Sequence, residues 1–298
     1  MNHQLTFVFM LSSACLVAPI FSQDQSHAVH RTLANKRSAA KPGGGWLEAW
    51  EHRHVSPNGT PYVHVFGFEP AFFDRGLFFD YHQTTSADRT EDESEFEVEL
   101  EWAFTKRLGV VVEVPYARID ETGGDSRTGI GDIAVAPRAL LVDTDDFLFS
   151  ANLEVGMSTG DDNRGLGSGE TTLAPSFSCW ADLGNWVTLQ AQIGTEHGLE
   201  SGDTELSYKS ALTWSFLTSP TSDPQSVHYQ AGMTSLLAEF TSHTVLDGGE
   251  ETRTTSEVML GVSYSLSEHW QVRTGYQFPV GGPEDIDHSF VIGAVLHF

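Results

Sequence analysis

Glu95, Glu97, Glu99 and Glu101 stand at every second position, interleaved with Phe96, Val98, Leu100, Trp102 and Phe104. In an extended strand this alternation puts every carboxylate on one face and every apolar side chain on the other. Stacked carboxylates repel one another unless bases or cations stand nearby, so the acidic face must line water or a polar interior. The same phase turns Asp80, Glu113, Asp132, Glu154 and Glu257 inward, with only Arg138, Lys209 and Arg273 to face them. A water-filled lumen lined this way favours cations over anions. A narrow barrel filled by its own Glu–Arg network would conduct nothing, and both readings stay open. The residues expected to set selectivity are Glu95, Glu97, Glu99, Glu101, Glu113, Arg138, Glu154, Lys209, Glu257 and Arg273.

Other groups carry weaker chemistry. Gly156-Met157-Ser158-Thr159-Gly160 fits G-x-S-x-G, but a nucleophile elbow needs a strand-turn-helix context, and here an acidic loop follows. His82 and His228 fall in the inward phase without a serine to place beside either, so a barrel esterase is the least favoured function and no enzyme activity is expected. Gly165-Leu166-Gly167-Ser168-Gly169 lacks the lysine of a phosphate loop and runs into Glu170. Glu51-His52-Arg53-His54, with His64 downstream, offers imidazoles suited to a transition metal. It reads more simply as a polar leader, so no metal and no cofactor are expected. Acidic loops at Asp88 to Glu93, Asp120 to Asp125, Asp161, Asp162, Glu196 to Asp203, Glu250, Glu251 and Glu284 to Asp287 would suit divalent cations, or simple solvation.

The elements that hold these groups repeat along the chain. Twelve segments of alternating character lie near 77–84, 95–104, 108–118, 130–141, 147–158, 171–180, 186–194, 205–217, 227–238, 255–266, 270–279 and 288–298. Roughly ten tilted residues suffice to cross a bilayer as a strand. Connections after even-numbered segments read as tight turns and those after odd-numbered ones as long loops, except 218–226. That alternation is the habit of outer-membrane barrels, with short periplasmic turns and longer outer loops. Trp102, Tyr116, Trp186, Trp214, Tyr264, Trp270, Tyr276 and Phe278 fall near segment ends, where interfacial aromatics belong. The chain closes on Phe290, Ile292, Ala294, Leu296 and Phe298 in the outward phase. That ending resembles the terminal strand read by the barrel-assembly machinery, which makes Phe298 its expected contact. Met1 to Phe21 reads as the apolar part of a signal peptide, within a leader of 1–28 cut after Ser22 or Ala28. An uncleaved anchor and a lipoprotein site at Cys15 are weaker alternatives. Loss of Cys15 would leave Cys179 alone and exclude an intrachain disulfide. Residues 29–70 follow as a flexible periplasmic leader or a plug, and 71–298 as the barrel.

The chain has 298 residues, 41 acidic and 16 basic side chains and a formal charge of −25. That balance excludes the basic face that nucleic acid requires. With 40% apolar and 11% aromatic residues, the chain is also too hydrophobic to be a disordered acidic one.

Several stretches resemble the outer-membrane "MetA-pathway of phenol degradation" family. They are Phe72-Phe73-Asp74-Arg75-Gly76-Leu77-Phe78-Phe79-Asp80-Tyr81, Leu108 to Tyr116, Gly129-Ile130-Gly131-Asp132-Ile133, Glu154 to Asp161, and Gly275-Tyr276-Gln277-Phe278-Pro279-Val280. Ser158 stands where the family pattern has proline. The resemblance implies an outer-membrane barrel for uptake of small molecules, aromatic ones among them, with no catalytic residues. The expectation is therefore an all-β antiparallel transmembrane barrel of about twelve strands in the bacterial outer membrane. Its expected role is passive or facilitated passage of small solutes. The alternatives are a non-conducting structural or adhesive barrel and a soluble secreted sandwich.

Overall fold

The computed structural model describes residues 45–298, apart from Arg89, 219–222, 224–225, 247–252 and 284–285. The expected signal peptide, its cleavage site, Cys15 and the start of the leader lie outside the described residues.

Strands β1 (Arg75–Ser86), β2 (Glu91–Ala103) and β3 (Leu108–Glu121) form an antiparallel meander. Next come β4 (Ser126–Ile130) and β5 (Ile133–Asp143), which both pair with β3 and occupy one barrel position, interrupted at Gly131-Asp132. The meander continues through β6 (Phe147–Met157), β7 (Thr172–Gly184), β8 (Val187–Gly198), β9 (Thr204–Leu217) and β10 (Met233–Val245). It ends with β11 (Thr254–Ser265), β12 (Trp270–Gly281) and β13 (Ile286–His297). β13 pairs back onto β1 from Gly76↔His297 to Ser86↔Ile286, which closes a twelve-stranded barrel. Closure removes every sheet edge, the condition for strands to cross lipid.

Side-chain phase follows the alternation of the sequence. Phe96, Trp102, Leu153, Ile193, Leu212, Trp214, Leu260, Tyr264, Phe290 and Ile292 are exposed on the outer wall, while Ser150, Gln190, Thr213 and Val291 between them are buried inside. Alternation with the large apolar side chains outside is the pattern of a barrel in lipid. A soluble sandwich is thereby excluded.

Two expectations about the connections need correction. The strands run beyond the apolar belt, so 85–94 shrinks to a turn at 87–90, and 119–129 to 122–125. Hydrogen-bonded pairing continues into water after apolar alternation stops, because a ladder needs no lipid to persist. Among the described residues, the outer connection 158–171 stays long. The periplasmic connection 218–232 is also long, and the strand expected at 227–238 lies instead at Met233–Val245. Tyr229 and Met233 there are buried, at 2% and 5% exposure, and face the interior rather than lipid.

The interior is filled at the end where β1 begins and β13 finishes. Residues 45–61 pass along the periplasmic turns: Lys106 Nζ donates to Glu48 at 2.7 Å, Asn58 to Asp145 O at 3.2 Å, and Thr60 Oγ1 to Asp182 at 2.6 Å. Residues 62–74 then enter the barrel. Ala71, Phe72 and Phe73 pack with Leu140, Leu148 and Trp180, while Val63, Val65 and Phe68 pack with Ala211 and Leu237. The part of the leader that the structure describes is therefore packed against and inside the barrel rather than free of it.

On the outer wall, Leu212 lies between Tyr208 and Trp214, beside Ala238 and near Leu260 in the same row. A cation there has no polar partner in the bilayer. Leu212→Arg is expected to cost about 2–4 kcal/mol, measured by urea unfolding of protein inserted in lipid vesicles. An unchanged midpoint would contradict the lipid-facing assignment.

Candidate functional site: a filled lumen and an acidic vestibule

Residues 62–74 contain no regular secondary structure, so their backbone groups need partners from elsewhere. The barrel wall provides them. Gln190 Nε2 donates to Val63 O at 2.8 Å and Arg273 Nη1 to Val65 O at 3.2 Å. Glu239 accepts from Phe66 N at 2.9 Å and from Gly67 N at 3.0 Å, while Lys209 Nζ donates to Gly67 O at 2.8 Å. Ser178 Oγ donates to Glu69 O at 2.7 Å. Arg138 donates to Phe72 O at 3.2 Å and also to Pro70 O. Glu101 Oε1 accepts from Asp74 N at 3.0 Å.

Two arginine systems anchor this lining. Arg138 reaches Glu101 and Glu69, both at 2.7 Å, and Asn152 at 3.1 Å. Arg273 forms a two-pronged pair with Asp80, one contact at 2.9 Å, and its guanidinium lies over the rings of Phe66 and Phe78. Gly293 stands between Asp80 and Arg273 in the strand register, and a Cβ there would collide with the Asp80 carboxylate. A missing side chain thus lets an ion pair form over the intervening strand β13.

Beneath these pairs, toward the periplasm, Asp74 is enclosed by histidines. Its Oδ2 accepts from His297 Nδ1 at 2.7 Å and lies 3.4 Å from His64 Nε2, while Oδ1 lies 3.6 Å from His54 Nε2. His52, His228 and His269 adjoin them. Burial pushes the His64 imidazole down to about 4, and burial together with neighbouring His54 does the same for His52. Both rings are neutral at pH 7.

Above the segment lies a cavity of about 350 Å³, floored by residues 64–70. Glu95, Glu97, Glu99, Glu113, Glu154, Lys209 and Arg273 line it, as the strand phase predicts. Glu69, Glu196, Glu205, His82 and His243 line it too. Carboxylate oxygens of Glu69, Glu99 and Glu113 come within 4.8 Å of one another. Glu101 and Arg138 are buried and do not line the cavity. Glu257 pairs with Gln277 outside it. Asp132 also departs from the expected lumen set. It accepts from the N–H groups of Thr159, Gly160 and Ser168 at 2.6–2.9 Å, and so organises the 158–171 loop. Leu166 of that loop tucks against Ala117 and Ile119. Glu69 was hidden from sequence reasoning because it belongs to the irregular segment, where no periodicity assigns a face. The aromatic density of Trp46, Trp50, Tyr62, Phe66, Phe68, Phe72 and Phe73 was the available sign that this stretch is not a solvated leader.

A closed antiparallel barrel with a lipid-facing belt, a polar lined interior and aromatic residues at its rims is an outer-membrane β-barrel. Residues 76–284 match the family described as "Putative MetA-pathway of phenol degradation", and the chain belongs to that family. The fold is similar to the COG4313 outer membrane channel from Pseudomonas putida F1, at 14% identity and a TM-score of 0.59, covering 80% of this chain and 100% of that one. It is also similar to the NanC porin, at 10% identity and a TM-score of 0.51, covering 75% and 100%. No curated protein matches the chain in sequence.

Two predictions follow from the anchors. Arg138→Met leaves Glu101 and Glu69 without their base and is expected to destabilise the barrel by about 3–5 kcal/mol. Thermal unfolding in detergent measures this, with an unchanged midpoint contradicting it; Glu101→Gln in the same chain should recover part of the loss. At Asp132, burial raises the carboxyl but the amides of Ser168 and Gly160 hold it below its ordinary value. The loop anchor is therefore present above about pH 4 and lost only as pH falls further, through the lowered value. Asp132→Asn should speed tryptic cleavage at the exposed Arg164, and unchanged cleavage would contradict the anchoring role.

Proposed function

We propose that this barrel is an outer-membrane channel for small solutes in which residues 45–74 form a plug. The observation that carries the reading is the 350 Å³ acidic cavity, floored by residues 64–70, with the periplasmic half of the barrel filled beneath it. Solutes enter the cavity from outside and wait on the plug, and passage requires the plug to shift. The lining sets a preference for cationic and neutral polar solutes, because Glu95, Glu97, Glu99, Glu113 and Glu154 outnumber Lys209 and Arg273. Small aromatic compounds fit within this class when they carry no negative charge. Lys209, Arg138 and Arg273 serve the plug rather than an open pore, since each donates to its backbone.

A non-conducting barrel is the second reading, favoured by the number of wall side chains committed to the plug backbone. Catalysis is not part of either reading. Ser158 lies exposed beyond the end of β6, where no elbow is formed. Phe298 faces outward beside Trp102, with ring centroids 6.4 Å apart, and its N–H is tied to Arg75 O at 2.9 Å. That position suits the terminal aromatic for reading by the assembly machinery. At the outer rim Arg127 already bridges Glu91 and Glu121 at 3.0 and 2.9 Å, so divalent cations would serve the remaining acidic loops, or the anionic lipid around them.

Planar-bilayer recording tests the channel reading. The intact chain is expected to show small, infrequent openings, and deletion of residues 45–70 large cation-selective ones. Replacing Glu97, Glu99 and Glu113 by Gln in the deleted chain should move the reversal potential toward zero in a salt gradient. Silence from both folded chains would favour the non-conducting barrel, and an unchanged reversal potential would contradict the glutamate lining.

A further inference from the structure

Six of the thirteen histidines of the chain gather at the periplasmic end of the lumen: His52, His54 and His64 from the internal segment, and His228, His269 and His297 from the barrel. Aromatic packing alone does not account for them. His52, His54 and His228 each bring a ring nitrogen to within 4.8 Å of the others. The Nε2 atoms of His52 and His54 are 3.0 Å apart. Two imidazoles on one ion at about 2.1 Å each would have that separation at a ligand–metal–ligand angle of about 90°. Little movement is therefore needed to admit an ion. His228 Nδ1 is buried and makes no hydrogen bond, and His297 Nε2 beside His54 is likewise buried and unpartnered. The buried nitrogens are thus positioned without a protein group to satisfy them, which is unusual for polar atoms out of water.

A carboxylate stands beside this set. Asp74 Oδ1 lies 3.6 Å from His54 Nε2 and supplies a negative charge next to the three imidazoles. The N–H of Tyr229 donates to His54 Nδ1 at 3.4 Å; the contact is long, and an ion on Nε2 would displace it by moving the ring proton to Nδ1. His297 gives its Nδ1 proton to Asp74, the carboxylate–imidazole arrangement that orients histidines around metals. His52 and His228 are only half-buried, so an ion can arrive from the periplasmic side.

We propose that His52, His54 and His228, with Asp74 as the adjoining carboxylate, bind one first-row divalent transition-metal ion of the zinc, cobalt or nickel type. An imidazole-rich set with one carboxylate matches these ions and not magnesium or calcium, which take oxygen ligands. The ion bridges the internal segment to the barrel at His228. The assignment stands on side-chain geometry and does not depend on whether the barrel conducts.

The test is titration of the tag-free, detergent-folded full chain with Co²⁺ alone, read by its visible absorption, and with Zn²⁺ by calorimetry. One ion per chain is expected, with intense absorption bands of low-symmetry nitrogen ligation. His52→Ala with His228→Ala should weaken binding at least about 100-fold. His197→Ala with His288→Ala, outside the cluster, should leave it unchanged. Folding of each variant is checked by heat-modifiable migration; if the double variant does not fold, His52→Gln alone should weaken binding at least about 10-fold. Absence of stoichiometric binding, or binding that survives loss of His52 and His228 or of His52 alone, overturns the proposal.

Discussion

An irregular backbone inside a barrel must find a hydrogen-bond partner for every buried amide and carbonyl, and the structure depends on how that requirement is met. The inward face of the barrel is built of Gln190, Arg138, Ser178, Lys209, Glu239 and Arg273, each aimed at a backbone group between Val63 and Phe72. Neither part is satisfied alone. Without the segment the wall would present buried charges to water, and without the wall the segment would have no structure at all. Asp74, Glu101 and Asp80 balance the arginines and histidines that this arrangement buries. The cost of burying charge is offset by pairing and hydrogen bonding within the same small volume.

This division gives the barrel two halves of different character. The periplasmic half is packed with aromatic and aliphatic side chains of residues 62–74. The outer half is an acidic cavity with few bases. In the proposed channel a solute would meet charge selection first and a physical obstruction afterward. The segment is held to the wall both by apolar packing and by hydrogen bonds to its backbone, and the proposed gating would have to loosen both.

The barrel was legible from the sequence because its code has period two. The alternation at 95–104 fixed strand, face and lipid exposure together, and the inward phase placed Glu97, Glu99, Glu113 and Arg273 on the cavity wall. The signal failed where apolar residues turn inward. Tyr229 and Met233 look like lipid-facing positions, and the segment read there slipped several residues ahead of β10. Loop lengths misled for a related reason, since strand pairing outlasts hydrophobic alternation at the outer rim. The internal segment was least legible: contacts between Phe66 and Glu239, or Val65 and Arg273, join residues far apart in the chain with no local pattern to announce them. Histidines show the same limit. His52 and His54 were visible as a pair, while His228, His269 and His297 joined them only through closure of the barrel.

The central claim is that residues 62–74 occupy the lumen and control passage through it. Gly67 lies against Thr241 of the barrel wall, and a Cβ at Gly67 would be 3.5 Å from the Thr241 hydroxyl, so the pair Gly67→Cys and Thr241→Cys in a Cys179→Ser chain can be joined and released chemically. Conductance recorded before and after reduction of that bond is the most direct measurement. The account predicts a locked, non-conducting barrel when oxidised and recovery of openings on reduction. Equal conductance in both states, with the bond verified, would contradict it.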